Sequence, residues 1–273
     1  MDRQILLVHD LVESGKVALG AMVPILSYMG YALHTLPTSL VSNPSCYGCN
    51  VTMDTTEHLQ RTLDAWDTLG LEFDAVITGN LHSLEQIRVM RGFCGRLMRE
   101  DACVLVDPIL KDPWGPDGLI DELRLEGMRS LVPRSSIIRP NYQEACLLTG
   151  TPAQEGPLSE GDARTLVERL HALGAQSVVI TGCKVEGRDC VIGHDYELDD
   201  FFELPFDRIG VSFPGTGDAF SAVLLGHLLQ EETLESAAQA ALDAVREMVR
   251  LSRSQFDPCQ GLLIESLLDV VDG

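Results

Sequence analysis

Pro214-Gly215-Thr216-Gly217-Asp218-Ala219-Phe220 joins a Gly/Pro turn to a run of small and apolar residues that reads as a helix over 219–229. A helix starting there has backbone N–H groups with no partner inside the helix, and the two glycines let an anion come close to them. Asp218 falls in the first turn. It can accept a hydroxyl proton beside the negative charge those N–H groups hold. The plainer reading of the same residues is a capped turn with an acidic first-turn residue. What the rest of the chain brings to this turn decides between them.

Upstream, short aliphatic runs alternate with helical patterns. Residues 4–8 form one such run, closed by His9-Asp10, and similar runs recur at 32–36, 74–78, 103–106, 136–138 and 177–181. Apolar on consecutive positions, they predict parallel strands buried on both faces. Helical spacing is expected over 17–29, where Gly30 stops the helix and Pro24 can kink it, over 55–69 ahead of Gly70, and from Ser83 toward Met98. Beyond Thr181, residues 189–193 and 199–204 read as extended, a hairpin or a flap. Two packed helices are expected at 219–229 and 234–251, and a short one at 262–271. Alternation of this kind predicts an α/β fold: a three-layer αβα sandwich around a mostly parallel sheet, with ligands beyond the carboxyl ends of its strands.

Composition narrows the partners. The 273 residues are 45% hydrophobic with no low-complexity linker, so one domain spanning 1–273 is expected. Acidic residues outnumber basic ones 41 to 20, which disfavours nucleic acid and anionic membranes alike. ATP is disfavoured too, so a nucleotide site here needs metal ions, helix N-termini and a few local cations; the lysines are only Lys16, Lys111 and Lys184. The N-terminal apolar run is too short for a leader or a span. Of the eight cysteines, Cys46 and Cys49 are spaced like half of a metal or redox site with no second pair to complete it. All eight are therefore expected as reduced thiols and the protein as cytoplasmic.

Other motifs agree with an anion site at 215–218. Asp107 and Glu144 are hard oxygen ligands able to hold magnesium directly or through its waters, and Asn141 can order the same waters. The plainer role for each carboxylate is a helix cap or a solvated turn. Ser14-Gly15-Lys16 is not a P-loop, because Asp10 stands where the first glycine belongs and Val17 follows the lysine. The histidines show no metal-binding spacing, and His34, His58, His171 and His227 are expected to be structural or solvated. His9, at a strand end, is left open.

Gly215-Thr216-Gly217-Asp218 ahead of a small-residue helix resembles the anion-hole signature of the ribokinase-like superfamily. Val106-Asp107-Pro108-Ile109-Leu110-Lys111-Asp112 and Arg139-Pro140-Asn141-Tyr142-Gln143-Glu144 resemble the Asp-Pro and Pro-Asn-x-x-Glu segments of its vitamin kinases. His9-Asp10, Gly15-Lys16-Val17, Pro24 to Gly30, Leu36 to Pro44 and Leu71 to Leu81 resemble bacterial pyridoxal or pyridoxine kinases. The likeness runs over nearly the whole chain. It implies ATP- and Mg2+-dependent phosphorylation of the 5′-hydroxymethyl group of a vitamin B6 form, leaves a K+ requirement open, and implies a homodimer.

Carried over by residue, the resemblance makes Asp218 the catalytic base and Gly215, Thr216 and Gly217 the anion hole. It puts Asp112, Arg139, Asn141 and Thr181 on the nucleotide side, Asp10, Val17, Ser45 and Asn80 at the substrate ring, and Asp107 and Glu144 at the metal. Three positions depart from the family. Asn80 stands where a tyrosine packs on the substrate, Asp10 replaces a frequent serine, and Arg139 a frequent threonine. Asp10 is expected to accept from a ring N–H or an ammonium, and Arg139 to add positive charge for ATP. A hydroxymethylpyrimidine kinase of the same fold, or a metabolite-binding relative without activity, is the alternative.

Overall fold

The computed structural model describes residues 3–93, 97–111 and 121–272. Its centre is a nine-stranded sheet of order β3-β2-β1-β4-β5-β6-β7-β8-β9. The strands are β1 (Gln4–Val12), β2 (Ala32–Val41), β3 (Thr52–Asp54), β4 (Phe73–Thr78), β5 (Met98–Val106), β6 (Ile137–Ile138), β7 (Ser177–Val185), β8 (Arg188–Asp195) and β9 (Asp200–Phe206). From β2 to β7 every neighbouring pair is parallel, while β3 at one edge and β8 and β9 at the other run antiparallel. The extended segments expected at 189–193 and 199–204 are thus the antiparallel edge of the sheet.

Helices cover both faces, as the alternation predicts. α1 (Leu19–Tyr28), α7 (Thr216–Leu228) and α8 (Leu234–Ser252) pack on one face; α2 (Thr56–Leu69), α3 (Leu84–Phe93), α4 (Glu122–Arg129), α5 (Tyr142–Thr149) and α6 (Glu160–Ala172) pack on the other. Alternate residues of one strand feed the two cores: Ile5 and Leu7 join the first, Leu6 and Val8 the second, all fully buried. Each such side chain contributes about 1.5–3 kcal/mol by leaving water. The alanines of α8, among them Ala237, Ala238, Ala241 and Ala244, let it sit close on α7.

Several boundaries move. β1 does not stop at Val8: it continues through His9 and Asp10 to Val12, with a register shift against β2 between His9 and Leu11. α1 starts at Leu19, not 17, because Ala18 has a positive φ of 53° and cannot belong to a helix. It then runs through Pro24 without ending. Met98, expected at the end of α3, already belongs to β5. The stretch expected as a helix at 262–271 forms two short 3-10 turns, Ile264–Ser266 and Leu268–Asp272. Among the described residues, no helix is long and apolar enough to cross a membrane.

Candidate active site

The carboxyl ends of the parallel strands open into one cleft of about 740 Å³. β1 contributes His9, Asp10 and Val12, β2 contributes Val41, the segments leaving β4, β5 and β6 bring Asn80, Asp107, and Arg139 with Asn141, and β7 itself brings Thr181. The N-terminus of α7 closes it with Gly215, Thr216, Gly217 and Asp218. Every site residue expected from sequence lines this cleft, except Asp112, which lies outside the described residues. This is the edge at which an open α/β sheet binds ligands.

At the α7 end, Gly215 is the N-cap with a φ of 87°. A Cβ there would stand 2.1 Å from the Lys16 carbonyl oxygen, so only glycine lets the turn lie on the 16–18 backbone. That contact carries Ala18 to Asp218. The Ala18 N–H donates to Asp218 Oδ2 at 2.6 Å, and His9 Nε2 meets Oδ1 at 3.1 Å. Burial raises the Asp218 pKa, but the charge and hydrogen bond of His9, the Ala18 N–H and the nearby Arg139 outweigh it, and the net shift is downward. Asp218 is therefore held ionised. For His9, burial disfavours the charged ring and Asp218 more than offsets it, so the shift is upward. A second proton would have to enter at Nδ1, where the Asp10 N–H already sits at 2.7 Å.

Arg139 does not reach into the cleft as a free cation. It is 5% exposed, forms an ion pair with Asp107, itself 2% exposed, and lies 5.9 Å from the centre of the Phe220 ring. Burial lowers its pKa. A Cβ on Gly217 would still come within 3.4 Å of its Nη2, so the guanidinium backs the anion hole from behind. Glu144 takes the plainer of its two roles. Its Oε2 accepts from the Asn141 N–H at 2.9 Å in a capping box on α5, and its Oε1 accepts from the Leu110 N–H at 3.2 Å. Among the described residues, no group of three or more His, Cys, Asp or Glu converges as a metal site. Both carboxylates line the cleft, and carboxylate oxygens are the kind of ligand that holds magnesium beside a nucleotide, where phosphates and waters supply the rest.

At the other end, the expected Asp10 contact with a ligand is already satisfied by protein. Oδ1 accepts from Thr38 Oγ1 at 2.8 Å and Ser39 Oγ at 3.0 Å and meets His82 Nε2 at 2.6 Å, while Oδ2 accepts from Asn80 Nδ2 at 2.9 Å. Burial would raise its pKa, but the hydrogen bonds of His82 and Asn80 and the charges of His9 and His82 outweigh it and push it down. Asn80 is the middle of a relay: its Oδ1 accepts from Arg124 Nη2 at 2.6 Å. His82 and Arg124 also line the cleft and escaped sequence reading. His82 had a usable signal, standing just past a predicted strand; Arg124 sits on α4, a helix that no pattern announced.

Ser45 opens a 3-10 turn, Ser45–Tyr47, on the cleft wall. The next residue corrects the expectation of free thiols: Cys46 is joined to Cys259, 213 residues on, with Cα atoms 5.9 Å apart. The chain end returns here because the Lys16 N–H donates to the Gln260 carbonyl at 2.7 Å and Gln260 Nε2 to the Tyr47 hydroxyl at 2.7 Å. Cys49 is exposed and, among the described residues, has no disulfide partner. Because the link closes so long a loop, Cys46→Ser is expected to cost about 2–5 kcal/mol in denaturant unfolding. Reductant should bring the parent chain to the same midpoint.

A second cleft of about 230 Å³ adjoins the first across Arg139, Thr181, Thr216 and Gly217. Its far walls are apolar: Val191, Phe206, Ile209, Val211, Leu242, Val245 and Val249. Thr181 stands at the junction, where β7 slips register against β8 between Ile180 and Cys183, and its N–H donates to the Pro140 carbonyl at 3.1 Å.

A sheet of this order, with a glycine-rich helix start facing its carboxyl edge, is that of a ribokinase-like small-molecule kinase. Residues 27–262 match the phosphomethylpyrimidine kinase family, and the chain belongs to that family. It is 30% identical to the pyridoxine/pyridoxal/pyridoxamine kinase of Bordetella avium (strain 197N) over 248 residues, 86% of this chain and 80% of that one. With the hydroxymethylpyrimidine/phosphomethylpyrimidine kinase of Bacillus subtilis (strain 168) it shares 31% over 208 residues, 71% and 70% of the two chains. A crystal structure from Bacteroides thetaiotaomicron, of a protein described as a phosphomethylpyrimidine kinase in a form with pyridoxal, superposes with a TM-score of 0.93. It is 27% identical, and the match covers 100% of this chain and 96% of that one.

Proposed function

We infer that this chain transfers the γ-phosphoryl group of ATP to the 5′-hydroxymethyl group of a vitamin B6 form. The observation that carries the reading is Asp218: ionised, half-buried and held by two donors in the first turn of α7, beside the N–H groups of Gly215, Thr216 and Gly217. The acceptor hydroxyl lies between its carboxylate and the γ-phosphate, and catalysis is mainly positioning and charge stabilisation. The apolar second cleft suits a nucleobase, which leaves the triphosphate along Thr181 and Asn141 toward the glycines. Asp107 and Glu144 would hold Mg2+ through its waters, and the ion would offset the repulsion between ATP and an acidic protein.

The choice of B6 over the pyrimidine is supported by the longer span shared with the Bordetella enzyme and by the pyridoxal in the Bacteroides crystal. Val17 and Ser45 on the cleft wall suit an aromatic ring with a polar edge. The Bacillus relative keeps hydroxymethylpyrimidine as the second reading. ADP release by purified protein with ATP, Mg2+ and pyridoxal, pyridoxine, pyridoxamine or hydroxymethylpyrimidine tests both. A kcat/KM for one B6 form at least about tenfold above the pyrimidine is expected, a modest difference of pocket contacts. The reverse order would install the pyrimidine kinase, and no ADP with any acceptor would leave a binding protein.

A further inference from the structure

Asp218 must present a lone pair to the acceptor hydroxyl, and a carboxylate on a single Cα–Cβ stem swings unless both its oxygens are held. One oxygen is held by backbone: Ala18 occupies the left-handed region, φ 53°, uncommon for a residue with a side chain, and so aims its N–H at Oδ2. The other is held by His9. The ring is 3% exposed, and the Asp10 N–H donates to Nδ1, so Nε2, which faces Oδ1, is the nitrogen that carries a proton. Space for the ring is built into the sheet. A Cβ on Gly79 would stand 1.9 Å from ring carbon Cδ2 and 2.3 Å from Nε2. The charged groups facing the ring are Asp218, Asp10 and Arg139.

We propose that His9 is a positioning residue for the phosphoryl transfer, an Nε2–H donor that fixes the rotation of the Asp218 carboxylate so that its remaining lone pairs meet the acceptor hydroxyl. The inference rests on the reading of Asp218 as the base. His9 does not relay the proton, because its only other nitrogen is closed by the Asp10 N–H. What matters is thus a donor at the Nε2 position, and that can be separated from the imidazole itself. A glutamine amide reaches the Nε2 position; an asparagine amide reaches only as far as Nδ1.

The test compares His9→Gln with His9→Asn, two neutral polar replacements, in steady-state kinetics with ATP, Mg2+ and the best B6 acceptor. His9→Gln should keep kcat within about threefold of the parent. His9→Asn should lose about 10- to 100-fold in kcat, the weight of one hydrogen bond to a charged group, with both KM values within about threefold. Parent-like kcat in both variants would overturn the proposal. So would equal loss in both with thermal midpoints matching the parent, which would mean that the imidazole itself is needed. Should His9→Asn not fold, an unimpaired His9→Gln must be set against His9→Leu, which lacks any donor, and a Leu variant as fast as Gln would also overturn it. Asp218→Asn in the same assay separates the two levels: full activity there removes the base assignment, while loss there beside indifferent His9 variants removes only the role of His9.

Discussion

Asp218→Asn is expected to lower kcat by about 10²- to 10⁴-fold, the span a general base contributes, with ATP binding largely retained. The amide keeps the shape and loses the basicity. It also meets two donors, the Ala18 N–H and His9 Nε2–H, with a single oxygen, so one of them faces an NH2 group. Leaving a buried donor unpaired costs about 1–3 kcal/mol, and the variant should be less stable by that order at neutral pH. The pH dependence has a definite sign. Because the native Asp218 pKa lies below the ordinary carboxylate value, its contribution is present above that value and fades as pH falls through the lowered one. Acid unfolding should therefore be shallower in Asp218→Asn than in the parent. Single-turnover kinetics and an acid titration followed by circular dichroism check the two halves; near-normal turnover would remove Asp218 from the chemistry.

The architecture was legible because it rests on patterns that survive in one dimension. Consecutive apolar residues such as Ile5 to Val8 announce a strand buried on both faces, and their alternation with helical spacing announces the layers. The cleft was legible for a related reason: Asp10, Asn80, Asp107, Arg139 and Thr181 all lie at or just beyond predicted strand ends. What stayed hidden was pairing across the chain. Nothing near Arg139 shows that Asp107, 32 residues earlier, pairs with it, so the sequence displays the added positive charge and hides its partner. Likewise, nothing near Asp10 shows four protein donors around its carboxylate, and nothing near Cys46 points to Cys259. Glu144 was ambiguous in principle, since the Asn-x-x-Glu spacing that resembles a metal-side motif is equally a capping box.

The Arg139–Asp107 pair carries the largest expected effect on the fold. Both groups are almost wholly removed from water, Asp107 has Ser221 Oγ as a further neighbour at 3.4 Å, and Arg139 Nε has no hydrogen-bond partner among the described residues. Charges so buried are tolerated because each answers the other, and removing one strands the second. Arg139→Met is therefore expected to cost about 3–5 kcal/mol, a large part of the roughly 5–15 kcal/mol that holds a typical domain together. Arg139→Met with Asp107→Leu should recover part of that, since the Asp107 charge is no longer stranded while Asp218 and Glu144 still lose the arginine's charge, and a double-mutant cycle in denaturant unfolding measures the difference. Activity should not recover with stability. The guanidinium lies behind Gly217, at the start of α7, where the proposed phosphoryl transfer needs its charge. A double variant that folds well yet turns over slowly would divide the two roles of one buried arginine; a single variant as stable as the parent would show that the pair holds nothing.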